Sequence, residues 1–260
     1  MITGVIITLN EARNIAACIQ SVRQVCNEVI VVDSESVDAT REIAEREGAR
    51  VIVQPYLGDG PQKNVGLDYA RNDWILSVDA DERLTDEMID AIRRLDLLNT
   101  PHDAFAFRRR NYIGGRWIRH CGWYPDYCIR LYNRQKACFA PKNQHSSVQA
   151  KSPRRVPVDL IHYSFEDIYQ LFAKPGRDFS GRAAKIMYLD GRKATFLSPF
   201  IHGMSSFLRQ YVLQGGMFAG VDGMTVALST SVNSYLKYAR LLEIQRDPLV
   251  LRNTDFSKVW

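Results

Sequence analysis

The stretch that decides the fold is residues 74–82, Trp-Ile-Leu-Ser-Val-Asp-Ala-Asp-Glu, where an apolar run ends abruptly in carboxylates. We predict a buried strand over residues 73–78 that ends at Asp79. Similar β-branched runs occupy residues 4–8, 28–32 and 50–53. Helical spacing between these runs is found at residues 10–23, 36–47 and 61–70. Because strands alternate with helices, the pattern predicts an α/β fold with a mostly parallel sheet and helices on both faces.

Polar side chains lie at the ends of these predicted strands. They are Thr8, Asn10, Asp33, Asp79 and Asp81. In open parallel sheets, ligands bind beyond the carboxyl ends of the strands, so residues distant in sequence meet there. We therefore expect these side chains to converge at one edge of the sheet.

The pair Asp79 and Asp81 has the chemistry of a site for a hard cation. Two carboxylates at positions i and i+2 after a strand can face one ligand, and Mg²⁺ or Mn²⁺ prefers such oxygens. A cation bound there would neutralise a diphosphate leaving group. The alternative is a helix N-terminus that favours acidic residues. Asp33 can accept a hydrogen bond from a ribose hydroxyl or a base N–H, or it can be a simple turn carboxylate.

Composition sets broad limits on function. The net charge of +5 permits contact with phosphates or an anionic membrane and requires neither. No nucleic-acid recognition motif is present, so we do not expect a nucleic-acid partner. The five cysteines are odd in number and lack CxxC spacing, which favours reduced thiols in the cytoplasm. The first residues are typical of a strand rather than a signal peptide.

The second part of the chain has a different texture. Strand signals fade after about residue 165, so we predict an α/β catalytic domain over residues 1–165 and a helical region over residues 166–260. Residues 195–242 are unusually apolar, with Arg209, Lys237 and Arg240 interspersed. This composition predicts interfacial helices that rest on the inner face of a membrane without crossing it. The alternatives are ordinary core helices or a contact between subunits of a homo-oligomer.

Four motifs occur together at predicted strand ends, TLNE from Thr8, VVDSESVDAT from Val31, GPQKNVGLDYA from Gly60 and WILSVDADE from Trp74. In this order they resemble the family 2 glycosyltransferases of the GT-A fold. The resemblance implies an inverting enzyme that uses a nucleoside diphosphate sugar and a divalent cation, Mg²⁺ or Mn²⁺. It implies that the nucleoside is held by Thr8, Asn10, Glu11, Asp33 and Lys63. It further implies that Asp79 lies near the ribose and the metal, and that Asp81 ligates the metal.

A narrower resemblance rests on residues 109–126 and on the segments His162-Tyr163-Ser164 and YLKYA from Tyr235. These are similar to the lipopolysaccharide inner-core β-glucosyltransferases, which implies transfer of glucose from UDP-glucose to a core heptose on a lipid-linked acceptor. The acceptor candidates are Arg110, Arg119, Trp123 and Tyr124. Arginine forks suit phosphorylated heptose. Surface arginines without a specific role are the alternative.

One position departs from that subfamily. Where it usually has His-Glu, this chain has His145 followed by Ser146. His145 is a candidate contact of the metal or diphosphate, or else a structural histidine. An inactive scaffold that only binds a sugar nucleotide therefore stays open, beside an active enzyme with another donor or with a polysaccharide or protein acceptor.

The transfer also needs a base that takes a proton from the acceptor hydroxyl. Asp126 is our candidate, because it follows a Trp-Tyr-Pro turn that can stack a sugar ring. The alternative is a turn aspartate at the start of a strand.

Overall fold

The computed structural model describes residues 1–140, 146–174 and 180–251. These form two compact units. The first comprises Met1–Arg110 and Pro125–His162, and the second comprises Asn111–Tyr124 and the chain from Tyr163 onward. Residues 111–124 thus pack with the later residues, although they precede the expected boundary near residue 165. The division into a catalytic domain and a helical region stays a prediction.

The first half of the sheet is parallel, as its alternating pattern predicts. Its strands are β1 (Ile2–Thr8), β2 (Glu28–Asp33), β3 (Arg50–Val53) and β4 (Trp74–Asp79). They lie in the order β3-β2-β1-β4 and are linked through the helices α1 (Ile15–Arg23), α2 (Thr40–Arg46) and α3 (Asp59–Tyr69). Val5, Ile30 and Ile75 are fully buried between these layers, which explains the β-branched runs.

The second half continues the same sheet with antiparallel pairs. The elements after β4 are β5 (Glu82–Leu84), α4 (Asp86–Arg93), β6 (Ala104–Ile113), β7 (Arg116–Trp117), β8 (Asp126–Asn133), β9 (Cys138–Phe139), β10 (Val148–Gln149) and β11 (Pro153–Phe165). The sheet order runs on from β4 as β8-β6-β11-β5, whereas β9 and β10 form a separate ribbon. The second half lacks the strand-helix alternation, so the sequence pattern identified strands there but not their pairing.

The later part of the chain is helical. It contains α5 (Ile168–Lys174), α6 (Ser180–Leu189), α7 (Ser198–Leu208) and α8 (Gly220–Arg246). A π-helical segment, Arg209–Leu213, and a 3-10 turn, Gly216–Ala219, connect α7 to α8. None of the described helices combines the length and apolarity needed to cross a membrane. The expected α/β class with a C-terminal helical extension is confirmed.

Candidate active site

The carboxyl ends of three parallel strands bring the predicted residues to one edge. Thr8 pairs in register with Asp33, and Ile7 pairs with Asp79. Strands 4.7–4.9 Å apart therefore place residues from three distant segments side by side. The convergence expected from the sequence is what the strand register produces.

Asn10 and Glu11 join the loops that follow β1 and β2. The Asn10 N–H donates to Ser36 Oγ at 2.8 Å, and Asn10 Oδ1 accepts from the Val37 N–H at 2.9 Å. The Glu11 N–H donates to Thr40 Oγ1 at 2.8 Å. Asn10 has a φ of 55°, a left-handed conformation that asparagine tolerates better than most residues. These contacts hold the two loops together above the carboxyl ends of the strands. Nucleoside binding by Asn10 and Glu11 stays a prediction.

Asp33, the last residue of β2, is fully buried. Its two oxygens accept from the Ser36 N–H at 2.9 Å and from the Ser36 hydroxyl at 2.5 Å. The geometry is that of a turn carboxylate, one of the two interpretations weighed from the sequence. Beside it, Thr8 Oγ1 is buried and has no hydrogen-bond partner in the described chain. Contact of either residue with a nucleoside stays a prediction.

Lys63 is a buried ion-pair partner rather than a solvated surface lysine. Helix α3 carries it to the edge, where its Nζ lies 2.9 Å from Asp59 Oδ1 and 3.1 Å from Asp79 Oδ1. Burial alone would lower the pKa of Lys63, but the charges of Asp79 and Asp59 outweigh burial and raise it. Lys63 therefore stays a cation that is aimed at the carboxylate ending β4.

Two residues that the sequence analysis missed complete this ionic cluster. Arg130 Nη2 on β8 lies 3.1 Å from Asp79 Oδ2 and 2.5 Å from Glu82 Oε1. Glu82 Oε2 accepts from the Asp79 N–H at 3.0 Å. Burial would raise the pKa of Asp79, yet the charges of Lys63 and Arg130 hold it well below its usual range. Asp79 is thus held ionised and in one orientation by two cations.

Replacing Arg130 with methionine is expected to reduce the free energy of unfolding by about 3–5 kcal/mol, the usual cost of breaking a buried ion pair from one side. The reason is that Glu82, which is fully buried, would keep an uncompensated charge. Urea unfolding measures the change. The double variant Arg130→Met, Glu82→Gln is the control and should lose less stability than the single variant. Equal losses in the two variants would contradict the ion-pair explanation.

Asp81 faces a histidine at the outer side of the cluster. Its Oδ2 lies 3.4 Å from His162 Nε2, because β11 pairs with β5 and sets His162 opposite Glu82. Burial would lower the pKa of His162, but the hydrogen bond and charge of Asp81 raise it. The carboxylate of Asp81 is 25% exposed, so a ligand can reach it. His162 entered the sequence analysis only as part of a motif.

The candidate base, Asp126, forms a fork with Arg109 across neighbouring strands. Asp126 Oδ2 accepts from Arg109 Nε at 2.9 Å and from Nη2 at 2.6 Å. Arg109 lies on the neighbouring strand β6, where it pairs in register with Asp126. Asp126 and Arg130 lie on the same strand, β8, whose pairing with β6 shifts in register at Arg130. Both fork contacts use Oδ2, which leaves Oδ1 as the free proton acceptor within the described chain.

Ser146, at the position of the subfamily glutamate, supports the start of α3. Its N–H donates to Asp59 Oδ2 at 2.8 Å, and its hydroxyl donates to the Ala140 carbonyl at 2.7 Å. A Cβ on Gly60 would lie 2.4 Å from Ser146 Oγ, so glycine is required for this close approach. Ser146 thus acts through Asp59 on Lys63. The preceding residue, His145, lies outside the described residues, and its role as a metal ligand stays a prediction.

The acceptor candidates fall in both units. In the first, Arg110 Nη2 lies 2.6 Å from Asp159 Oδ2, so its fork is already partly engaged. In the second, Trp117 connects the others, since the guanidinium of Arg119 lies 4.2 Å from its ring centroid and Tyr124 packs edge-on at 5.1 Å. Trp123 packs against Phe165 at 6.2 Å. These aromatic contacts build a surface suited to stacking, and acceptor binding by all four stays a prediction.

Within the described ranges, no three His, Cys, Asp or Glu side chains are arranged as a preformed metal cluster. All five cysteines are free thiols. At this edge of the sheet, the carboxylate of Asp79 is held by Lys63 and Arg130. The carboxylate of Asp81 is accessible and lies beside the imidazole of His162. Such an arrangement can bind a cation and a diphosphate together.

Comparisons with known proteins show the family of this chain. The model of Glycosyl transferase family 2 matches residues 3–151, more than half of the chain. A glycosyltransferase of Rickettsia bellii (strain RML369-C) is 33% identical over 255 residues, which cover 94% of this chain and 86% of the relative. The lipopolysaccharide core biosynthesis glycosyltransferase LpsC of Rhizobium meliloti (strain 1021) is 23% identical over 255 residues, covering 93% and 92%.

A solved structure, glucosyl-3-phosphoglycerate synthase of Mycobacterium tuberculosis in complex with Mn²⁺, UDP and glucosyl-3-phosphoglycerate, superposes with a TM-score of 0.47 at 18% identity, covering 75% of this chain and 81% of that one. The family assignment rests instead on the family model, which matches more than half of the chain, and on the Rickettsia relative, which covers 94% of it. This chain belongs to family 2 of the glycosyltransferases, and it is an enzyme of the GT-A fold.

Proposed function

We propose that this glycosyltransferase is an inverting enzyme that moves glucose from UDP-glucose to a heptose of the lipopolysaccharide inner core. The observation that carries the proposal is the ionic cluster at the carboxyl edge, in which Lys63 and Arg130 hold Asp79 next to the accessible Asp81. A nucleoside diphosphate sugar needs such a combination of fixed charges, because its leaving group is a dianion or trianion.

The residues present fit a divalent cation. Asp79 and Asp81 offer the hard oxygens that Mg²⁺ and Mn²⁺ prefer, and His162 offers a nitrogen 3.4 Å from Asp81. We propose that Asp81 holds the cation with support from Asp79, and that His162 completes the set. A cation bound there supplies charge neutralisation for the departing diphosphate. Lys63, fixed between Asp59 and Asp79, adds a second positive charge on the same side.

Asp126 performs the proton transfer in this proposal. As the acceptor oxygen bonds to the anomeric carbon and the bond to the diphosphate breaks, the hydroxyl proton moves to Asp126 Oδ1. Arg109 holds the other oxygen, Oδ2, and so keeps the carboxylate from rotating away. A positioned base of this kind contributes roughly 10²–10⁴-fold to the rate.

The choice of acceptor rests on the relatives and on the basic side chains. The name of the Rhizobium relative places that protein in lipopolysaccharide core biosynthesis. In this chain, Arg108 and Arg110 flank the buried Asp159, and Arg119 is exposed, which suits a phosphorylated sugar. The acceptor would be lipid-linked, so we propose that the enzyme works in the cytoplasm on the inner face of the bacterial inner membrane.

The competing proposal is a scaffold that binds a sugar nucleotide without transferring the sugar, since Ser146 replaces the subfamily glutamate. Its hydroxyl is engaged by the Ala140 carbonyl, so Ser146 cannot substitute for a base. Asp126 with its free Oδ1 favours the enzyme.

A screen of nucleotide sugars tests the proposal in two steps. UDP-glucose with Mn²⁺ is expected to raise the melting temperature more than UDP-glucose with a chelator, because a ligand that binds only the folded state stabilises it by mass action. Slow release of UDP from UDP-glucose then separates an enzyme from a scaffold. Stabilisation by another sugar nucleotide would correct the donor. Stabilisation without any UDP release, with acceptor present, would favour the scaffold.

A further inference from the structure

Helix α7 carries an apolar face that is largely exposed in the described chain, although Phe200 at its margin packs edge-on against Tyr235 at 5.3 Å. Phe200, Ile201, Met204 and Leu208 all have large exposed side chains on this helix. At 3.6 residues per turn their positions fall within an arc of about 100°. Ile201 and Met204 are 60% and 61% exposed. A water-soluble surface seldom concentrates apolar side chains in this way unless something binds there.

The opposite side of α7 is packed, which shows that the helix is anchored and that its exposed face is not merely frayed. Pro199 and Gly203 are buried. The Ser231 hydroxyl of α8 donates to the Gly203 carbonyl at 2.9 Å, and the Ser206 hydroxyl donates to Ser234 Oγ at 3.0 Å. The exposed face is thus held rigidly by α8. The segment that follows is equally apolar, since Leu213 and Phe218 are 81% and 77% exposed.

Three cations lie in the segments around α7: Arg192 precedes it, Arg209 follows it, and Lys237 lies on α8. Lys237 Nζ lies 5.0 Å from the ring centroid of Tyr238, and that ring stacks on His202 of α7 at 3.8 Å. Burial, and then the charges of Arg192 and Arg209, lower the pKa of Lys237. Arg209 directly follows Leu208, the last residue of α7. Within the part of the chain that the structure describes, no carboxylate pairs with Arg192, Arg209 or Lys237.

The surrounding sequence is strongly one-sided in charge. Residues 192–242 contain five cations and a single acid, Asp222. That acid is engaged by Arg116 at 3.0 Å. The sequence analysis grouped Arg240 with Arg209 and Lys237. In the structure, Arg240 lies 2.5 Å from Glu243 and so differs from Arg192, Arg209 and Lys237, which pair with no described carboxylate. The region therefore attracts anions next to an apolar face.

We propose that the α7 face, with Arg192, Arg209 and Lys237 beside it, docks on the surface of an anionic lipid bilayer. The apolar side chains would enter the acyl boundary, while the flexible stems of the cations reach the lipid phosphates. The inference deepens the proposed function, because the lipid-linked acceptor would be presented at the same surface. A second copy of this chain is a poorer occupant, since a two-fold contact would bring two sets of unpaired cations together.

Flotation of the full chain with vesicles tests the docking surface. Wild type is expected to float with phosphatidylcholine vesicles that contain phosphatidylglycerol, and to float much less with phosphatidylcholine alone or at high salt. The variant Arg209→Gln, Lys237→Gln should bind the anionic vesicles roughly 25-fold more weakly, at about fivefold per charge. The variant Ile201→Ser, Met204→Ser should lose more than about tenfold on the same vesicles.

Matched controls separate docking from misfolding and from donor chemistry. The variant Leu98→Ser removes a side chain that is 94% exposed in the first unit, and it should float like wild type. All variants should keep the wild-type melting temperature and the same rate of UDP release from UDP-glucose. If wild type floats but neither wild type nor any variant releases UDP, the docking proposal is supported and the proposed function is overturned instead.

Several results would overturn the docking proposal. One is wild type that stays unbound with anionic vesicles, or an Ile201→Ser, Met204→Ser variant that floats as well as wild type. Another is a wild type that sediments as a dimer and becomes a monomer in that variant without any flotation, which would assign the α7 face to a second copy. Binding of free inorganic phosphate with no vesicle binding would likewise reject the bilayer in favour of a soluble anion.

Discussion

Replacing Asp81 with alanine is expected to lower metal-dependent glycosyl transfer by roughly three orders of magnitude or more. A cation at a departing diphosphate supplies several kcal/mol of charge stabilisation, and each 1.36 kcal/mol corresponds to a factor of ten in rate. Asp81 has the accessible carboxylate just after β4, so its loss removes the proposed ligand and leaves Asp79 in its ion pairs. The measurement is the transfer rate across a titration of Mn²⁺ or Mg²⁺.

The fold should survive the substitution, because Asp81 is partly exposed and its described partner is His162 alone. Asp90→Ala is a suitable control, since Asp90 is an exposed carboxylate on α4 of the same unit. It should transfer sugar at the wild-type rate. If Asp81→Ala keeps wild-type turnover and the same metal dependence, Asp81 is not a ligand and the cation proposal for this edge fails.

Replacing Asp126 with asparagine is expected to lower the transfer rate by about two to four orders of magnitude. Asparagine keeps the size of the side chain and can still accept from Arg109, but it cannot take the acceptor proton. Donor binding should barely change, since the base serves the acceptor hydroxyl. The measurements are transfer kinetics over a range of pH and the donor-induced shift in melting temperature.

A second variant distinguishes a base from a merely structural residue. Arg109→Gln removes the fork to Asp126 Oδ2 and leaves the carboxylate itself in place. It should lose much less activity than Asp126→Asn, whereas a purely structural role of the fork would give the two variants equal losses. Near-normal turnover of Asp126→Asn would show that the base lies elsewhere.

The sequence by itself determined the parallel half of the fold and the identity of the edge carboxylates. Short β-branched runs alternate with helical spacing over the first 80 residues, and this local pattern permits few arrangements other than a parallel sheet. Asp33, Asp79 and Asp81 each follow such a run, so their convergence could be predicted without coordinates. The helical nature of the later chain was equally readable from its periodicity.

Only the tertiary structure decided which groups surround those carboxylates. Arg130 and His162 lie on β8 and β11, strands whose antiparallel pairing brings them to Asp79 and Asp81 from 51 or more residues away along the chain. No local pattern encodes such pairing, because strand register depends on which faces are buried together. The hydrogen bond of Asp33 with Ser36 and the contacts that link Ser146 through Asp59 to Lys63 also appear only in the folded chain.

The helical region shows the same division. Its apolar residues could be counted in the sequence, but whether they point inward or outward could not, because that depends on the partner helix. The contacts of Gly203, Ser206 and His202 with α8 bury one side of α7 and leave Ile201 and Met204 in solvent. Likewise, Arg240 became an ion-pair partner of Glu243, whereas Arg209 and Lys237 stayed free of carboxylates among the described residues. Residue type is a property of the sequence, whereas exposure and charge pairing are set by packing between distant segments.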